Sequence, residues 1–297
     1  MMAIRRGGTT PVNSSDLSVG WSRFSVMRTM RMWVGLIALS CSAIFLLNSI
    51  GDLVPGETYD SIASFSTVGV VFFLLMRFLR LPTLQYFAKP VLGWRFLVAL
   101  VLSINLIVVQ LQGEPFHNLS IGQWVRGIIF LFAVGAAEEI LSRGVVFGIL
   151  LRHGLPIAAI ASSLMFGLMH INVYIGHWDP WQAYWHVMSA ASFGLFACAL
   201  MVVTKSLWMP ILLHFFSNGA LIFEAPPTKE ELDLRVSIDF WQGVLHPLSP
   251  FLTFLIPALI LFWIHAGNPV PGWFVRLAIK FGLVEKEVEP APKELGL

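Results

Sequence analysis

Long apolar runs alternate with short polar connections from residue 33 to residue 266. They fall near 33–50, 62–79, 94–111, 125–151, 156–175, 184–203, 207–223 and 249–266, each close to the ~20 residues that an α-helix needs to cross ~30 Å of hydrocarbon. Backbone groups in lipid must be satisfied within the segment, so such runs fold as helices. The pattern predicts an all-α protein, a polytopic transmembrane helical bundle of about eight spans. The pieces are a basic N-terminal arm (1–32), N-terminal transmembrane helices (33–111), a central core (112–223), an extracytoplasmic loop (224–248), a last transmembrane helix (249–266), and an interfacial helix with a tail (267–297).

Charge placement orients the bundle. Arg5, Arg6, Arg23, Arg28 and Arg31 precede the first run, and Arg77, Arg80, Lys89, Arg95, Arg152, Lys205, Arg276, Lys280 and Lys286 fall at alternate connections. Loops 51–61, 112–123 and 176–183 hold no Lys or Arg. The positive-inside rule therefore places both termini in the cytoplasm. The first run has no small-residue cleavage site behind it and reads as a retained span. Segment 272–284 stripes Phe274, Leu277 and Phe281 beside Arg276 and Lys280, the pattern of a helix lying in the headgroup layer.

Composition narrows the class. Of 297 residues, 57% are hydrophobic and 12% charged, too apolar for a soluble domain of this size. A net charge of +2 with scattered basic residues excludes a nucleic-acid surface and leaves membrane lipid as the first partner. Cys41 and Cys198 lie inside apolar runs, without the spacing of a disulfide framework or a structural zinc site. Oligomeric state has no signature in the chain.

Against this background, the fourth run carries Glu138, Glu139 and Arg143 within two turns. An ionisable group at a helix centre costs roughly 2.5–3.5 kcal/mol on insertion scales, so the cluster requires compensation or use. Glu139 and Arg143, at i,i+4, share a face and can neutralise each other. Glu138 points about 100° away and has no such partner on its own helix. Just beyond, Gly144 and Gly148 form a GxxxG, which permits close helix packing. His170 lies in the fifth run, and His214 and Asn218, again i,i+4, in the seventh. Counted at ~1.5 Å per residue from the cytoplasmic side, Glu138, His170 and His214 lie at depths of ~20, ~21 and ~14 Å, all in the middle layer.

Glu138-Glu139-xxx-Arg143, Phe166-xxx-His170 and His214-xxx-Asn218, in that order on separate runs, resemble the three signature motifs of the CPBP family, the CAAX prenyl endopeptidase (Rce1-type) and Abi intramembrane proteases. The resemblance covers residues 138–218, marks 112–223 as the catalytic core, and implies an intramembrane endopeptidase acting on a peptide or a lipidated protein C-terminus. Eukaryotic members remove the last three residues of prenylated CAAX proteins, whereas many bacterial members process peptides or confer immunity to them. The expected location is a prokaryotic plasma membrane, or the endoplasmic reticulum membrane in a eukaryote.

Hydrolysis of a peptide bond needs an activated water, a base, and donors aimed at the oxyanion. Glu138, desolvated and lacking an intrahelical cation, suits the base; His170 can polarise the same water; His214 and Asn218 can donate to the oxyanion, and the resemblance implies that role as well. Glu139 with Arg143 would hold Glu138 in place. Zinc is the open alternative, with Glu138, His170 and His214 as ligands of a catalytic ion. The paired His214 and Asn218 need no ion and favour a metal-free mechanism. HExxH, GxGD and rhomboid-type Gly-x-Ser signatures are absent from the sequence. The alternative from another class is a membrane transporter or non-catalytic scaffold, since buried Glu, Arg and His also mark ion pathways. No inverted repeat or matched pair of broken helices supports it.

Overall fold

The computed structural model describes residues 57–110, 120–171, 180–219 and 248–267, with the isolated positions 35, 38, 39, 42, 276 and 280. The chain separates into two units, 1–39 and 40–297, and everything below belongs to the second. The N-terminal arm, the run 33–50, the loop 224–247, the interfacial stripe around Arg276 and Lys280, and the tail lie outside the described residues, apart from those isolated positions.

Among the described residues all regular structure is helical. The elements are α1 (Glu57–Phe78), α2 (Thr83–Tyr86), α3 (Trp94–Gln110), α4 (Ile121–Glu139), a π-helix (Ile140–Val146), α5 (Phe147–Leu150) with a 3₁₀ turn (Leu151–His153), α6 (Leu155–Met169), α7 (Pro180–Thr204), α8 (Trp208–Ser217) and α9 (Leu248–His265). Segments in α1, α7 and α9 are long and apolar enough to span a membrane, namely Ser61–Phe78, Ala183–Thr204 and Leu248–His265. Trp94–Val108, Leu155–Met169 and Trp208–Ser217 are apolar and shorter.

Helix limits follow local chemistry. α4 starts at Ile121, four residues before its apolar run, because Ser120 forms a capping box: its Oγ accepts from Gln123 N–H at 3.3 Å and its own N–H donates to Gln123 Oε1 at 2.9 Å. The unbroken α-helix expected over 125–151 is instead interrupted by the π segment, where Phe147 N–H bonds Ser142 C=O. α6 stops at Met169 and α8 at Ser217, earlier than the runs 156–175 and 207–223 suggested. Apolar content sets how long a segment can be buried, whereas the helix end depends on capping geometry.

α7 is the hub. Phe196, Ala197, Cys198, Ala199 and Leu200 are wholly buried, and α7 packs against α9, α6, α8 and α3. Around it the outward faces stay apolar, as at Val70, Leu74, Ile104, Ile128, Leu164 and Ile256. Patches of that extent are foreign to a soluble monomer and match a lipid-facing surface. The GxxxG of the sequence meets side chains: a Cβ at Gly144 would stand 2.6 Å from Met76 Sδ, and one at Gly148 would stand 3.3 Å from the Tyr86 hydroxyl. Residues 86–91 are stitched to the hinge after α7 by Leu207 N–H to Tyr86 C=O (2.7 Å), Ser206 Oγ to Ala88 C=O (2.7 Å) and Trp208 Nε1 to Phe87 C=O (3.0 Å).

Candidate active site

Two close helix crossings bring the motif residues together. At Gly135 of α4, a Cβ would meet Ile211 O and Phe215 N at 3.3 Å and His214 Cβ at 3.5 Å, so glycine lets α8 lie against α4 one turn before Glu138 and Glu139. At Gly167 of α6, a Cβ would be 2.6 Å from Val187 O, which fixes α6 against α7 beside His170. These contacts explain how residues separated by 75 positions become hydrogen-bond partners.

Glu139 and Arg143 are both fully buried and pair at 3.0 Å, as their spacing predicts. The same oxygen, Glu139 Oε1, also accepts from His214 Nδ1–H at 2.9 Å. The brace is therefore three-membered and spans two helices. The Arg143 guanidinium lies 4.4 Å from the Phe166 ring centroid and 6.0 Å from that of Phe193, a cation–π setting that partly replaces lost hydration. Among the described residues, Glu139 Oε2, Arg143 Nε and Arg143 Nη2 find no hydrogen-bond partner. Breaking such a pair would leave an uncompensated charge in a dry core.

His170 caps α6, and its Nδ1–H donates to the Phe166 carbonyl at 2.8 Å. With Nδ1 committed on both imidazoles, each presents Nε2 toward Glu138. Glu138 Oε2 lies 3.9 Å from His170 Nε2 and 3.8 Å from His214 Nε2, in ion-pair range and beyond hydrogen-bond length. That oxygen is buried without a hydrogen-bond partner among the described residues, although the Glu138 side chain as a whole is 23% exposed. Both Nε2 atoms thus lie within 4 Å of Glu138 Oε2, and a water among these three acceptors can donate to two of them.

A cavity of about 180 Å³ opens beside the imidazoles, lined by His170, His186, His214, Ser189, Ser217 and Asn218 on its polar side. Asn218 and His214 share this wall, as their i,i+4 spacing requires. A second cavity, of about 590 Å³, runs between α1, α4 and α8 with an almost wholly apolar wall that includes Gly69, Phe73, Phe132, Ala136, Ala137 and Phe215.

The donor set of Glu138, His170 and His214 is chemically that of a zinc site. A tetrahedral ion with bonds of ~2.0–2.1 Å holds its donors ~3.4 Å apart. Glu138 stands wider than that from both nitrogens, and among the described residues no three His, Cys, Asp or Glu side chains are grouped to hold an ion. Phe193 and His186 escaped the sequence-based choice of site residues, and Phe166, a motif position there, was given no role. Phe166 has a ring 4.8 Å from that of His170 and 5.9 Å from that of His214, so it serves both imidazoles as well as Arg143. The ring of His186 meets that of His170 edge-on at 4.7 Å. The spacing of His186 from Ser189 on one face of α7 was the signal available in the sequence.

Compared with known proteins, residues 120–220 match the family model for the type II CAAX prenyl endopeptidase Rce1-like proteins. The match falls on the region that holds all three motifs and agrees with the resemblance they carry. That family is one of proteases, and the apolar helices fit a multi-pass membrane protein. No curated protein and no solved structure matches the chain.

Proposed function

We propose that the protein is an intramembrane endopeptidase that uses Glu138 to activate water against the peptide bond of a lipidated C-terminus. The observation that carries this proposal is the convergence of Glu138 Oε2 with two Nε2 atoms whose Nδ1 positions are already engaged. Water bound there gives its proton to Glu138 while its oxygen attacks the scissile carbonyl carbon. His170 orients that water. Glu139 holds the His214 ring through Nδ1 so that Nε2 faces the reacting group; when protonated, that nitrogen donates to the developing oxyanion, with Asn218 as second donor. Protonated Glu138 then passes its proton to the leaving nitrogen as the carbon–nitrogen bond breaks, releasing a new carboxylate and a new amine. Water and protons balance without a further reactant.

The apolar cavity between α1, α4 and α8 suits the lipid of such a substrate, because Ala136 and Ala137 on its wall immediately precede Glu138. Burial of an alkyl chain contributes roughly 0.8 kcal/mol per CH₂, enough to concentrate a lipidated peptide at the site. In the proposed arrangement the chain crosses the membrane about eight times with both termini in the cytoplasm. The scissile bond then approaches from the cytoplasmic side.

The test is cleavage of a prenylated C-terminal peptide by purified protein in lipid vesicles. Glu138→Gln and His170→Ala should each lower kcat by roughly 10²–10⁴-fold with unchanged helicity. Proteolysis retained by a folded Glu138→Gln protein would overturn the assignment. Chelator treatment with metal analysis separates the two mechanisms: full activity in a metal-free preparation is the outcome expected here.

A further inference from the structure

Away from the hydrolytic site, exposed basic groups gather where three helices end. α3, α7 and α9 pack against one another in all three pairings. Arg95 stands in the first turn of α3, Lys205 directly follows α7, and His265 closes α9. Val91 N–H donates to Thr204 C=O at 2.9 Å, which ties the chain entering α3 to the end of α7. The charges of Arg95 and Lys205 both act on the His265 ring. All three residues are exposed, and none pairs with a carboxylate among the described residues, whose acidic members are Glu57 and Asp60 at the start of α1 and Glu138 and Glu139 at the active site. Like charges held together on a folded surface repel, and an anion among them removes that cost.

Backbone geometry singles out Lys205. Its φ of 55° lies in the left-handed region, which glycine enters freely and a residue with a Cβ only at a cost. The link between α7 and α8 thus carries a lysine where glycine would fit better, and charge is what glycine lacks. The amino end of α3 adds the partial positive charge of its first N–H groups. Space for a ligand is open there, since a Cβ on Gly93 would meet no atom within 4 Å. The carboxyl ends of α7 and α9 would repel an anion, but Val91 N–H engages Thr204 O, Ala266 N–H engages Phe262 O at 2.9 Å, and Gly267 N–H engages Ile264 O at 3.1 Å. Apolar surface lies beside the basic groups: Val91, Leu92 and Trp263 are exposed, and the Arg95 guanidinium sits 5.4 Å from the Trp94 ring centroid. A ligand here meets charge and apolar surface together, which suits a phospholipid better than a free ion.

We propose that Arg95, Lys205 and His265 form a binding site for the headgroup phosphate of an anionic phospholipid, at the membrane surface where α3, α7 and α9 end. The site shares no residue with the hydrolytic centre and does not depend on the protease function above.

Lipid retention by the full-length protein provides the test, read by native mass spectrometry from neutral-detergent micelles that contain equal amounts of phosphatidylglycerol and phosphatidylcholine. The unaltered protein should retain phosphatidylglycerol in preference. Arg95→Gln and Lys205→Gly should each weaken that binding roughly fivefold, the size of one basic residue's attraction to an anionic lipid surface. Glycine suits the left-handed backbone at 205, so the melting temperature of Lys205→Gly in neutral detergent should not fall, and its loss of lipid is then a loss of charge. Arg152→Gln removes a cation from the turn after α5, where Arg152 Nε bonds His153 Nε2 at 3.3 Å, and should leave binding within about twofold. Equal retention of the two lipids would overturn the site, and so would a loss from Arg152→Gln as large as those from Arg95→Gln and Lys205→Gly. Displacement of phosphatidylglycerol by millimolar inorganic phosphate would make free phosphate the occupant and overturn the lipid.

Discussion

At the scale of single residues, the charged cluster of α4 divides into a reactive carboxylate and a buried support. Arg143 and Glu139 are inaccessible to solvent, and Glu139 Oε1 ties the guanidinium to His214. Replacing Arg143 with Met keeps much of the side-chain volume and strands Glu139. The expected loss is about 3–5 kcal/mol, measured by unfolding in mixed micelles. Glu139→Gln preserves the packing but leaves Arg143 as an uncompensated buried cation, so it too should cost about 3–5 kcal/mol, and because it also alters the partner of His214 Nδ1, kcat should fall at least roughly tenfold. The i,i+4 spacing made the Glu139–Arg143 pair legible in the sequence, because both ends lie on one helix. The bond from Glu139 to His214 was not legible, since it depends on how closely α4 and α8 approach, and nothing in a linear pattern fixes that distance.

Elements meet where side chains vanish. α6 and α7 touch at Gly167, where any Cβ would come within 2.6 Å of the Val187 carbonyl. Backbone cannot yield as a flexible side chain can, so Gly167→Ala must push the helices apart and Gly167→Val must do so further. Overpacking of this kind costs about 1–3 kcal/mol. His170 and His186 sit next to this crossing on opposing helices, so activity should fall more steeply than stability along the Ala and Val series, a split that parallel melting and turnover measurements would reveal. Gly144→Ala offers the comparison: its close neighbour is the Met76 thioether, a flexible end that can move, and the effect on turnover should be smaller. Span-length apolar segments in α1, α7 and α9 were readable from hydrophobicity alone, because a helix that crosses hydrocarbon must be apolar over about 20 residues. The π-helix over Ile140–Val146 had no such signature; an extra residue in a helical turn leaves composition unchanged.

Across the molecule, α8 lines two cavities of opposite character, a polar one shared with α6, α7 and α9 beside the imidazoles and a larger apolar one shared with α1 and α4. If a lipid chain fills the apolar cavity while the peptide reaches the polar one, the two contributions to substrate binding are separable. Ala136 is half-buried on the apolar wall, so Ala136→Phe fills space there without crowding a sealed core. For a prenylated peptide, the loss of even two or three buried CH₂ groups, at roughly 0.8 kcal/mol each, should raise KM by about tenfold or more. The same peptide without its lipid gains nothing from the cavity, so its slower cleavage should be equal in the variant and the unaltered protein. A rise in KM for both peptides would mean that Ala136→Phe disturbs Glu138 through the helix, and would remove the apolar cavity from the account of substrate recognition. A rise confined to the prenylated peptide would place the lipid on the α1, α4 and α8 side, next to the end of α4 that carries Glu138.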